Sequence, residues 1–371
     1  MRHETLPLDL PLDLPLANPR QRLRARGAEA NPAGRFEPYA RLVEPDGWES
    51  PIEAELLRTE ISTEAPRSIL TRNQSPDVPF DRSINPYRGC EHGCIYCYAR
   101  PTHGYLGLSA GLDFETKITA KPAAPELLTR ELSKRGYVPA PIAIGTATDP
   151  YQPAETKLAI MRGLLEVLER FGHPVCITTR GAGVLRDLDI LERMAARGLV
   201  HLSISLTTLD EALARKMEPR APSPQTRLRM IREASRAGIP VRVMAAPIIP
   251  GLTDHALEAI LTEARRAGAR AAAYIPLRLP HEVAPLFVDW LNRHFPERAE
   301  RVVGAIAALR DGKLNDPRFG SRMQGEGVEA DLLAQRFALS CRRLSFAREL
   351  PALLTSQFAV PPLAGAQLEL F

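Results

Sequence analysis

Short apolar runs alternate with amphipathic segments along the chain from about residue 80 onward. Six of these runs have the length and composition of buried strands: 83–85, 142–146, 175–179, 200–206, 241–246 and 271–275. Between them, apolar residues recur at helical spacing, as in 155–171 and in 256–267, which follows Thr253 as a potential helix cap. Regular alternation of strands and helices predicts a parallel α/β sheet built from six βα units.

The chain before residue 79 lacks this alternation and is rich in proline. Its opening run, 6–16, is apolar at alternate positions, but its prolines together with Asp9 and Asp13 exclude a secretory or membrane-spanning segment. We therefore expect four parts in this order: a mostly irregular or disordered arm (1–78), the α/β domain (79–296), a helical extension (297–360) and a flexible tail (361–371).

Length and composition suit one large enzyme domain with tails, because the chain has 371 residues, of which 44% are apolar and 25% are charged. The formal net charge, 48 − 44 = +4, says little about partners. The five cysteines fit no disulfide framework, which is typical of proteins in a reducing cytoplasm. We therefore expect a cytoplasmic enzyme with no membrane partner.

Three of the cysteines, Cys90, Cys94 and Cys97, lie close together in the chain, separated by three residues and then two. Three thiolates can hold three irons of a [4Fe–4S] cluster, whereas an electron-transfer cluster normally takes four cysteine ligands. The spacing therefore predicts a cluster whose fourth iron is open to a ligand from outside the protein.

A structural zinc site is the alternative interpretation of the same spacing. The Cys-x3-Cys-x2-Cys run could recruit a fourth tetrahedral ligand from one of three residues: His92, His103 or Cys176. In that case the protein would be a zinc-stabilised adaptor that binds nucleic acid or a partner protein without catalysis.

The run from Asn85 to Arg100 closely resembles the cysteine loop of the radical S-adenosylmethionine (SAM) enzymes. Tyr96, directly before the third cysteine, stands where that family usually carries an aromatic residue that packs on the adenine of SAM. The resemblance implies a [4Fe–4S] cluster and SAM as cofactors, with an electron from the cluster cleaving SAM to a 5′-deoxyadenosyl radical. It also implies the α/β fold of an open (β/α)6 partial TIM barrel over 79–296, with an irregular N-terminal arm and a helical C-terminal extension.

Radical SAM enzymes bind SAM across the C-terminal ends of their strands. The predicted strands of this chain end in short polar side chains or bare backbone. By position, the resemblance implies that SAM contacts Tyr96 and the following residues at the strand ends: Thr148, Arg180, Ser203, Ser205 and Ala246. It also implies a reductant such as flavodoxin or ferredoxin as a partner, because the cluster must receive an electron.

Within the superfamily, 83–275 resembles the spore photoproduct lyase-like branch, which includes DNA repair photolyase-like proteins, through its Cys-x3-Cys-x-Tyr-Cys-Tyr run. Tyr96 and Tyr98 match aromatic positions implicated in the radical relay of that branch, so the resemblance implies a catalytic role for both. Thr146 occupies the position of the hydrogen-donating cysteine of these lyases, and a threonine O–H bond is too strong to donate a hydrogen atom readily. We expect a nucleic-acid base as substrate, in repair or modification, while a protein or small-metabolite substrate stays open.

The chain ends in Ala-Gln-Leu-Glu-Leu-Phe after a Pro-Pro-Leu-Ala-Gly linker. This ending resembles the peptide by which bacterial replication and repair proteins bind the DNA sliding clamp. Leu370 and Phe371 would fill an apolar cleft, Leu368 would add contact, and the Gln367 amide would fix the orientation. The alternative is that the apolar ending folds back onto the barrel.

Overall fold

The computed structural model describes these parts of the chain: 26–28, 30–32, 34–36 and 58–362. The predicted clamp-binding peptide at 367–371 and the apolar run at 6–16 lie outside the described residues. Within the described part, no helix combines the length and the apolarity needed to cross a bilayer.

The described part of the chain contains ten strands: β1 (Glu60–Thr63), β2 (Thr71–Arg72), β3 (Arg82–Ile84), β4 (Tyr87–Arg88), β5 (Lys117–Ala120), β6 (Ile142–Ile144), β7 (Val175–Thr179), β8 (Val200–Ser205), β9 (Val241–Ile248) and β10 (Ala271–Pro276). Seven of them form the main sheet in the order β10-β9-β8-β7-β6-β3-β2. All neighbours in this sheet are parallel except the edge strand β2, which pairs with β3 in the antiparallel direction. The six parallel strands lie at the six predicted positions, and the prediction of an α/β fold with six βα units is confirmed.

The same described part contains twelve α-helices: α1 (Asp113–Thr116), α2 (Ala124–Leu132), α3 (Glu155–Leu158), α4 (Ile160–Arg170), α5 (Leu188–Ala196), α6 (Glu211–Met217), α7 (Pro224–Arg236), α8 (Leu257–Arg266), α9 (Val283–His294), α10 (Pro296–Ala308), α11 (Ser321–Gln324) and α12 (Val328–Arg343). The apolar faces of α2, α4, α5, α7 and α8 cover one side of the main sheet and form a single core with it. A second apolar cluster joins α6, α9 and α10 to Cys94, Ile95 and Tyr96. The loop that carries the three clustered cysteines is therefore embedded in packed side chains.

Side chains alternate between the two faces of each strand. In β7, Val175 and Ile177 are buried under the helices, whereas Cys176 and Thr178 point to the opposite face. In the register of the sheet, Thr178 lies beside Ser203, and Ser203 lies beside Arg242. The face opposite the helices thus carries a polar row across β7, β8 and β9, inside the partial barrel.

The barrel is open, because the strand pairing of the described part runs from β10 to β2 without closing. Polar contacts bridge the loop between β2 and β3 to the segment around α11, which packs on β10. Asp77 Oδ1 accepts a hydrogen bond from Gly320 N at 2.7 Å, and Asp77 also pairs with Arg322, whose Nη2 donates to Ser75 Oγ at 2.6 Å. These contacts tie the two edges of the sheet together.

Two helix predictions differ from the structure. The segment 155–171, predicted as one helix, is split into α3 and α4 at Ala159, which has a left-handed φ of 50°. At the start of α4, Glu155 Oε1 accepts a hydrogen bond from Met161 N at 3.0 Å. Thr253 does not cap a helix with its side chain, since its hydroxyl accepts a hydrogen bond from the preceding Ile249 N at 2.8 Å. Both differences arise from side chains that bond to backbone N–H groups.

The expected irregular or disordered arm contains ordered structure. β1 pairs with β5 in parallel and β2 lies at the edge of the main sheet. Arg26 and Ala28 are buried although they belong to no helix or strand. They are held because Gly27 N and Ala28 N donate to the Glu115 carboxylate, at 2.9 and 2.8 Å.

The expected helical extension ends at Arg343, and the described chain beyond it carries no further helix. This last segment runs along the N-terminal ends of the sheet strands. Ala347 N donates to Arg270 O at 2.8 Å, and Leu354 N donates to Gly198 O at 3.0 Å. The segment therefore covers the end of the barrel opposite to the ends where the cysteine loop lies.

Candidate active site

The three clustered cysteines lie in one loop after β4, which we call the cysteine loop and define as residues 89–99. Cys90 and Cys94 are buried, and Cys97 is half-buried. The loop turns at Gly89 and Gly93, whose φ angles of 76° and 67° favour glycine. A Cβ on Gly93 would lie 2.7 Å from Glu115 Oε2, so the close approach also requires glycine there.

Two segments that are distant in sequence hold the backbone of the cysteine loop. Gln152, which is buried, accepts a hydrogen bond from Glu91 N at 2.9 Å and donates one to Gly89 O at 3.2 Å. On the other side, Ile95 N donates to the carbonyl of Met217, the last residue of α6, at 3.0 Å. The loop is thus fixed from the β6 side and from the α6 side.

A buried ion pair between Arg100 and Glu115 holds the backbone of the cysteine loop. The side chains of Arg100 and Glu115 are fully buried, and their Nη2 and Oε1 atoms are 2.5 Å apart. Arg100 Nε also donates to Cys94 O at 2.9 Å, while the Glu115 carboxylate binds the N–H groups of Gly27 and Ala28. This pair connects the cysteine loop to the N-terminal arm.

Burial raises the pKa of the Cys90 thiol well above its usual range, and the nearby Asp149, Cys94 and Cys97 raise it further. Burial also raises the pKa of Cys94, to about 12, although the positive charge of Arg180 opposes the shift. Without a metal these two thiols therefore hold their protons. Metal ligands must be deprotonated, so cluster binding at this loop would release protons.

The zinc interpretation finds no support in the structure. Among the described residues, no three His, Cys, Asp or Glu side chains are grouped around the position of a single ion. The proposed fourth ligands are placed elsewhere: His103 Nε2 is bonded to Lys117 O at 3.0 Å, and Cys176 lies near the start of β7. His92 is in the loop, but its Nδ1 lies 3.5 Å from Asp149.

Arg180, at the end of β7, brings together several predicted site residues. Its Nη1 lies 2.9 Å from Cys94 Sγ, 2.7 Å from the Tyr96 hydroxyl and 2.9 Å from Glu218 Oε1. Its backbone N–H donates to Asp149 Oδ2 at 2.8 Å. Asp149 therefore fixes the turn that carries Arg180, and the guanidinium is directed at a cysteine of the loop.

Glu218 is the buried carboxylate of this site, and it follows the last residue of α6. It pairs with Arg180 and Arg227 and accepts a hydrogen bond from the Tyr96 hydroxyl. Burial alone would raise the pKa of Glu218, but Arg227 and Arg180 lower it to about 2. Glu218 is therefore ionised, and Tyr96, whose pKa burial raises, remains a neutral donor.

Thr148 is buried at the end of β6, and its hydroxyl donates to Tyr87 O at 3.2 Å. Asn85 Oδ1 accepts from Ala147 N at 2.9 Å and from Thr148 N at 3.4 Å, so Asn85 holds this turn beside the end of β3. In the structure Thr148 thus bonds to the protein backbone, and its predicted contact with SAM stays a prediction.

Ser203 and Ser205 lie on the inner face of β8, and neither hydroxyl has a hydrogen-bond partner in the described part of the chain. The Ala246 carbonyl, on the neighbouring β9, lies 3.2 Å from Thr207 Oγ1. Thr207 Oγ1 in turn lies 3.1 Å from Glu218 Oε1. Ala246 and Ser205, whose carbonyl accepts from Arg227 Nη1 at 3.3 Å, therefore border the same group of side chains as Arg180.

Tyr98 is the most exposed aromatic residue of the cysteine loop, with 48% of its surface accessible. Its hydroxyl donates to Thr146 O, and the guanidinium of Arg278, just after β10, lies 4.9 Å from its ring centroid. The Thr146 hydroxyl is 3.1 Å from Asn85 Nδ2. Tyr98 therefore lies between the first and the last parallel strand, at the open side of the barrel.

Four residues of the site are not indicated by the sequence pattern: Gln152, Thr207, Glu218 and Arg227. Glu218 itself could have indicated a nearby cation. A glutamate at the C-terminal end of a helix interacts unfavourably with the helix dipole, and a positive charge close to it offsets that interaction. Arg227 supplies that charge from the first half of α7. The pairing itself could not be read from the sequence, because the two residues bond across a turn.

Residues 84–264 match the sequence model of the Radical SAM superfamily. Uncharacterized proteins of Mycobacterium tuberculosis and Mycobacterium bovis are 38% identical to this chain over 226 residues, and the match covers 60% of this chain and 66% of theirs. The chain thus spans just under two thirds of these relatives. A protein of Pseudomonas phage M6 described as a radical SAM Nalpha-GlyT isomerase is 24% identical over 219 residues, covering 58% of this chain and 43% of its own length.

Among solved structures, spore photoproduct lyase complexed with dinucleoside spore photoproduct aligns with a TM-score of 0.54. The alignment has 15% identity and covers 76% of this chain and 79% of that one, so the likeness concerns the fold alone. Residues 84–264 therefore match the Radical SAM superfamily in sequence, and the chain has a spore photoproduct lyase-like fold. The predicted cofactors, a [4Fe–4S] cluster and SAM, are those of the Radical SAM superfamily.

The residues present fit these cofactors. The cysteine loop offers three sulfur donors and no fourth, which matches a cluster with one iron left for SAM. The three ligands of such a cluster bind three different irons, so they need not converge on one point. The half-buried Arg180 supplies positive charge beside Cys94, which suits an anionic cluster.

Proposed function

We propose that Cys90, Cys94 and Cys97 bind the [4Fe–4S] cluster and that the enzyme repairs or modifies a base in nucleic acid. The observation that carries the substrate assignment is the pair of Tyr98 and Arg278 at the open side of the barrel. The Arg278 guanidinium has no hydrogen-bond partner in the described part of the chain, and burial lowers its pKa. An aromatic ring beside an unpaired arginine is typical of surfaces that stack on bases and bind phosphates.

Bound together, the cluster and SAM supply the one-electron cleavage of SAM. Around them, we propose that Tyr96 packs on the adenine and that Arg180, which is already directed at Cys94, binds the SAM carboxylate. The remaining proposed contacts come from the strand ends: Thr148, Ser203, Ser205 and the main chain of Ala246. The free hydroxyls of the two serines support this assignment, because they are available to an incoming ligand.

We propose that Tyr98 takes part in the radical relay together with Tyr96, since it lies directly beside the third cysteine. The absence of a thiol at Thr146 favours a reaction other than the reversal of spore photoproduct. The phage relative is described as an isomerase, which supports a rearrangement as an alternative.

Two partners belong to this proposal. A reductant such as flavodoxin or ferredoxin would supply the electron. The sliding clamp would bind Gln367, Leu368, Leu370 and Phe371 and bring the enzyme to DNA.

The test is the formation of 5′-deoxyadenosine by anaerobically reconstituted protein in the presence of oligonucleotides, peptides or small-metabolite mixtures. Wild-type protein should bind iron and sulfide and should form more 5′-deoxyadenosine with an oligonucleotide than with the other pools. Cys90→Ala should lose both the cluster and the product. Cys341→Ala is the matched control, because Cys341 lies on α12, far along the chain from the cysteine loop, and should retain both.

Stimulation by peptides or metabolites alone would contradict the nucleic-acid assignment. Iron and 5′-deoxyadenosine retained by Cys90→Ala would contradict the cluster assignment. Efficient reversal of spore photoproduct by the wild type would show that the interpretation of Thr146 is wrong, and gain of that activity only in Thr146→Cys would support it.

A further inference from the structure

The Glu218 carboxylate has no role in the function proposed above, although it is buried within the same group of side chains. Its Oε1 atom lies 2.9 Å from Arg180 Nη1 and 3.1 Å from Thr207 Oγ1, and it accepts the hydrogen bond of the Tyr96 hydroxyl. Its Oε2 atom accepts from Arg227 Nη2. A buried carboxylate with four donors is a fixed charge, since moving it would leave several buried groups without partners.

Arg227 is fixed as firmly as the carboxylate it binds. Its side chain is 2% exposed, Nε donates to Pro222 O at 3.0 Å, and Nη1 donates to Ser205 O at 3.3 Å. These two carbonyls leave the guanidinium partly satisfied when the carboxylate is neutralised.

Arg180 connects this pair to the cysteine loop. The Nη1 atom that lies 2.9 Å from Glu218 Oε1 also lies 2.9 Å from Cys94 Sγ. At the other end of the residue, Asp149 Oδ2 holds the backbone N–H at 2.8 Å. With its backbone fixed by Asp149 and its guanidinium fixed by Glu218, Arg180 has little freedom to move away from the sulfur.

We infer that Glu218 is a positioning residue that sets the reduction potential of the cluster, by holding Arg180 against Cys94 and by placing a buried negative charge nearby. This inference rests on the proposed binding of the cluster at the cysteine loop. Hydrogen bonds to cluster sulfurs and the net charge around a cluster are two main determinants of its potential. Reduction adds negative charge, so a nearby cation raises the potential and a nearby anion lowers it.

The experiment is an EPR-monitored redox titration of the reconstituted cluster without SAM, in the wild type and three variants. Glu218→Gln removes one negative charge and keeps an oxygen acceptor, so the potential should rise. Arg227→Gln removes one positive charge, so the potential should fall. We expect each single change to alter the ratio of reduced to oxidised cluster by about tenfold at a fixed potential, which is about 59 mV for one electron. The double variant should return close to the wild-type potential.

Opposite shifts that cancel in the double variant would support the inference, because general damage to the site moves both single variants in the same direction. An unchanged potential in Glu218→Gln protein that carries the cluster would overturn the inference, and so would shifts of the same sign in the two single variants.

If Glu218→Gln takes up no iron, the result of Arg227→Gln decides alone: a lower potential supports the inference and an unchanged one overturns it. A wild-type protein that binds no cluster would instead refute the proposed function. Glu258→Gln, which changes a partly exposed ion pair on α8, is the control and should leave the potential unchanged.

Discussion

Replacing Glu115 by glutamine should destabilise the protein far more than the same change at an exposed carboxylate. Glu115 is fully buried, and it pairs with Arg100 and with the N–H groups of Gly27 and Ala28. Glutamine has nearly the same shape but no charge, and its NH2 group cannot accept from any of these donors. The guanidinium of Arg100 would therefore stay buried without a counter-ion.

The magnitude follows from that loss. Removing one partner of a buried ion pair costs about 3–5 kcal/mol in the free energy of unfolding, because a charge is left uncompensated. Domains are usually stable by only about 5–15 kcal/mol, so Glu115→Gln should remove a large part of the total. Exposed pairs contribute only about 0–1 kcal/mol. Glu258→Gln provides the matched control, since Glu258 binds Arg336 through two contacts of 2.8 Å near the surface.

The assay is urea denaturation of the protein without cluster, combined with hydrogen exchange of peptides that cover the cysteine loop. Glu115→Gln should lower the midpoint strongly and speed exchange in the loop, because Arg100 also holds Cys94 O. Glu258→Gln should do neither. Equal effects of the two changes would refute the reasoning. A double variant with Arg100→Met and Glu115→Leu should not regain the loss, because the N–H groups of Gly27 and Ala28 would be left buried without partners.

Two further predictions concern backbone strain and pH. Gly93→Ala should reduce iron uptake on reconstitution more than Gly107→Ala. Both glycines have a φ of 67°, but only at Gly93 would a Cβ meet another atom, Glu115 Oε2 at 2.7 Å. Equal iron content in the two variants would contradict this prediction. Burial lowers the pKa of His173 from 6.5 to about 4. Between these two pH values the unfolded chain binds a proton that the folded protein does not. The free energy of unfolding should therefore fall as the pH falls from about 6.5 to 4. His173→Asn should show a flatter pH dependence of the urea midpoint in that range, and an unchanged slope would count against the shift.

The six parallel strands of the main sheet could be predicted because each is a short run between longer amphipathic segments, and the two periods differ clearly. The edge strand β2 (Thr71–Arg72) could not, because it is polar and exposed. The positions at the strand ends followed from the same pattern, since parallel strands present their C-terminal ends at one edge. The split at Ala159 could not be predicted in this way, because the apolar spacing continues across it. It depends on the Glu155 carboxylate, which bonds to Met161 N only in the folded chain.

The grouping of the three cysteines in one loop could be predicted for a different reason, because their spacing is local. The groups around them could not, because their partners come from distant parts of the chain. Gln152 reaches Gly89 and Glu91 over about sixty residues, and the carbonyl of Met217 reaches Ile95 over more than one hundred. Sequence periodicity contains no information on contacts of that range.

The cysteines, which are close together in sequence, and the charged residues around them, which are not, contribute differently to the chemistry of the site. In the proposed site, the cysteine loop supplies the cluster ligands, and Arg180 and Glu218 supply the charges beside them. Neither residue is close to the loop in sequence, and the hydrogen bonds of Glu218 connect it to Tyr96 and Arg227 as well. By the inference above, a neutral residue in place of Glu218 beside the same three cysteines would raise the potential of the proposed cluster. The distant segments, and not the motif, are where we expect that potential to be set.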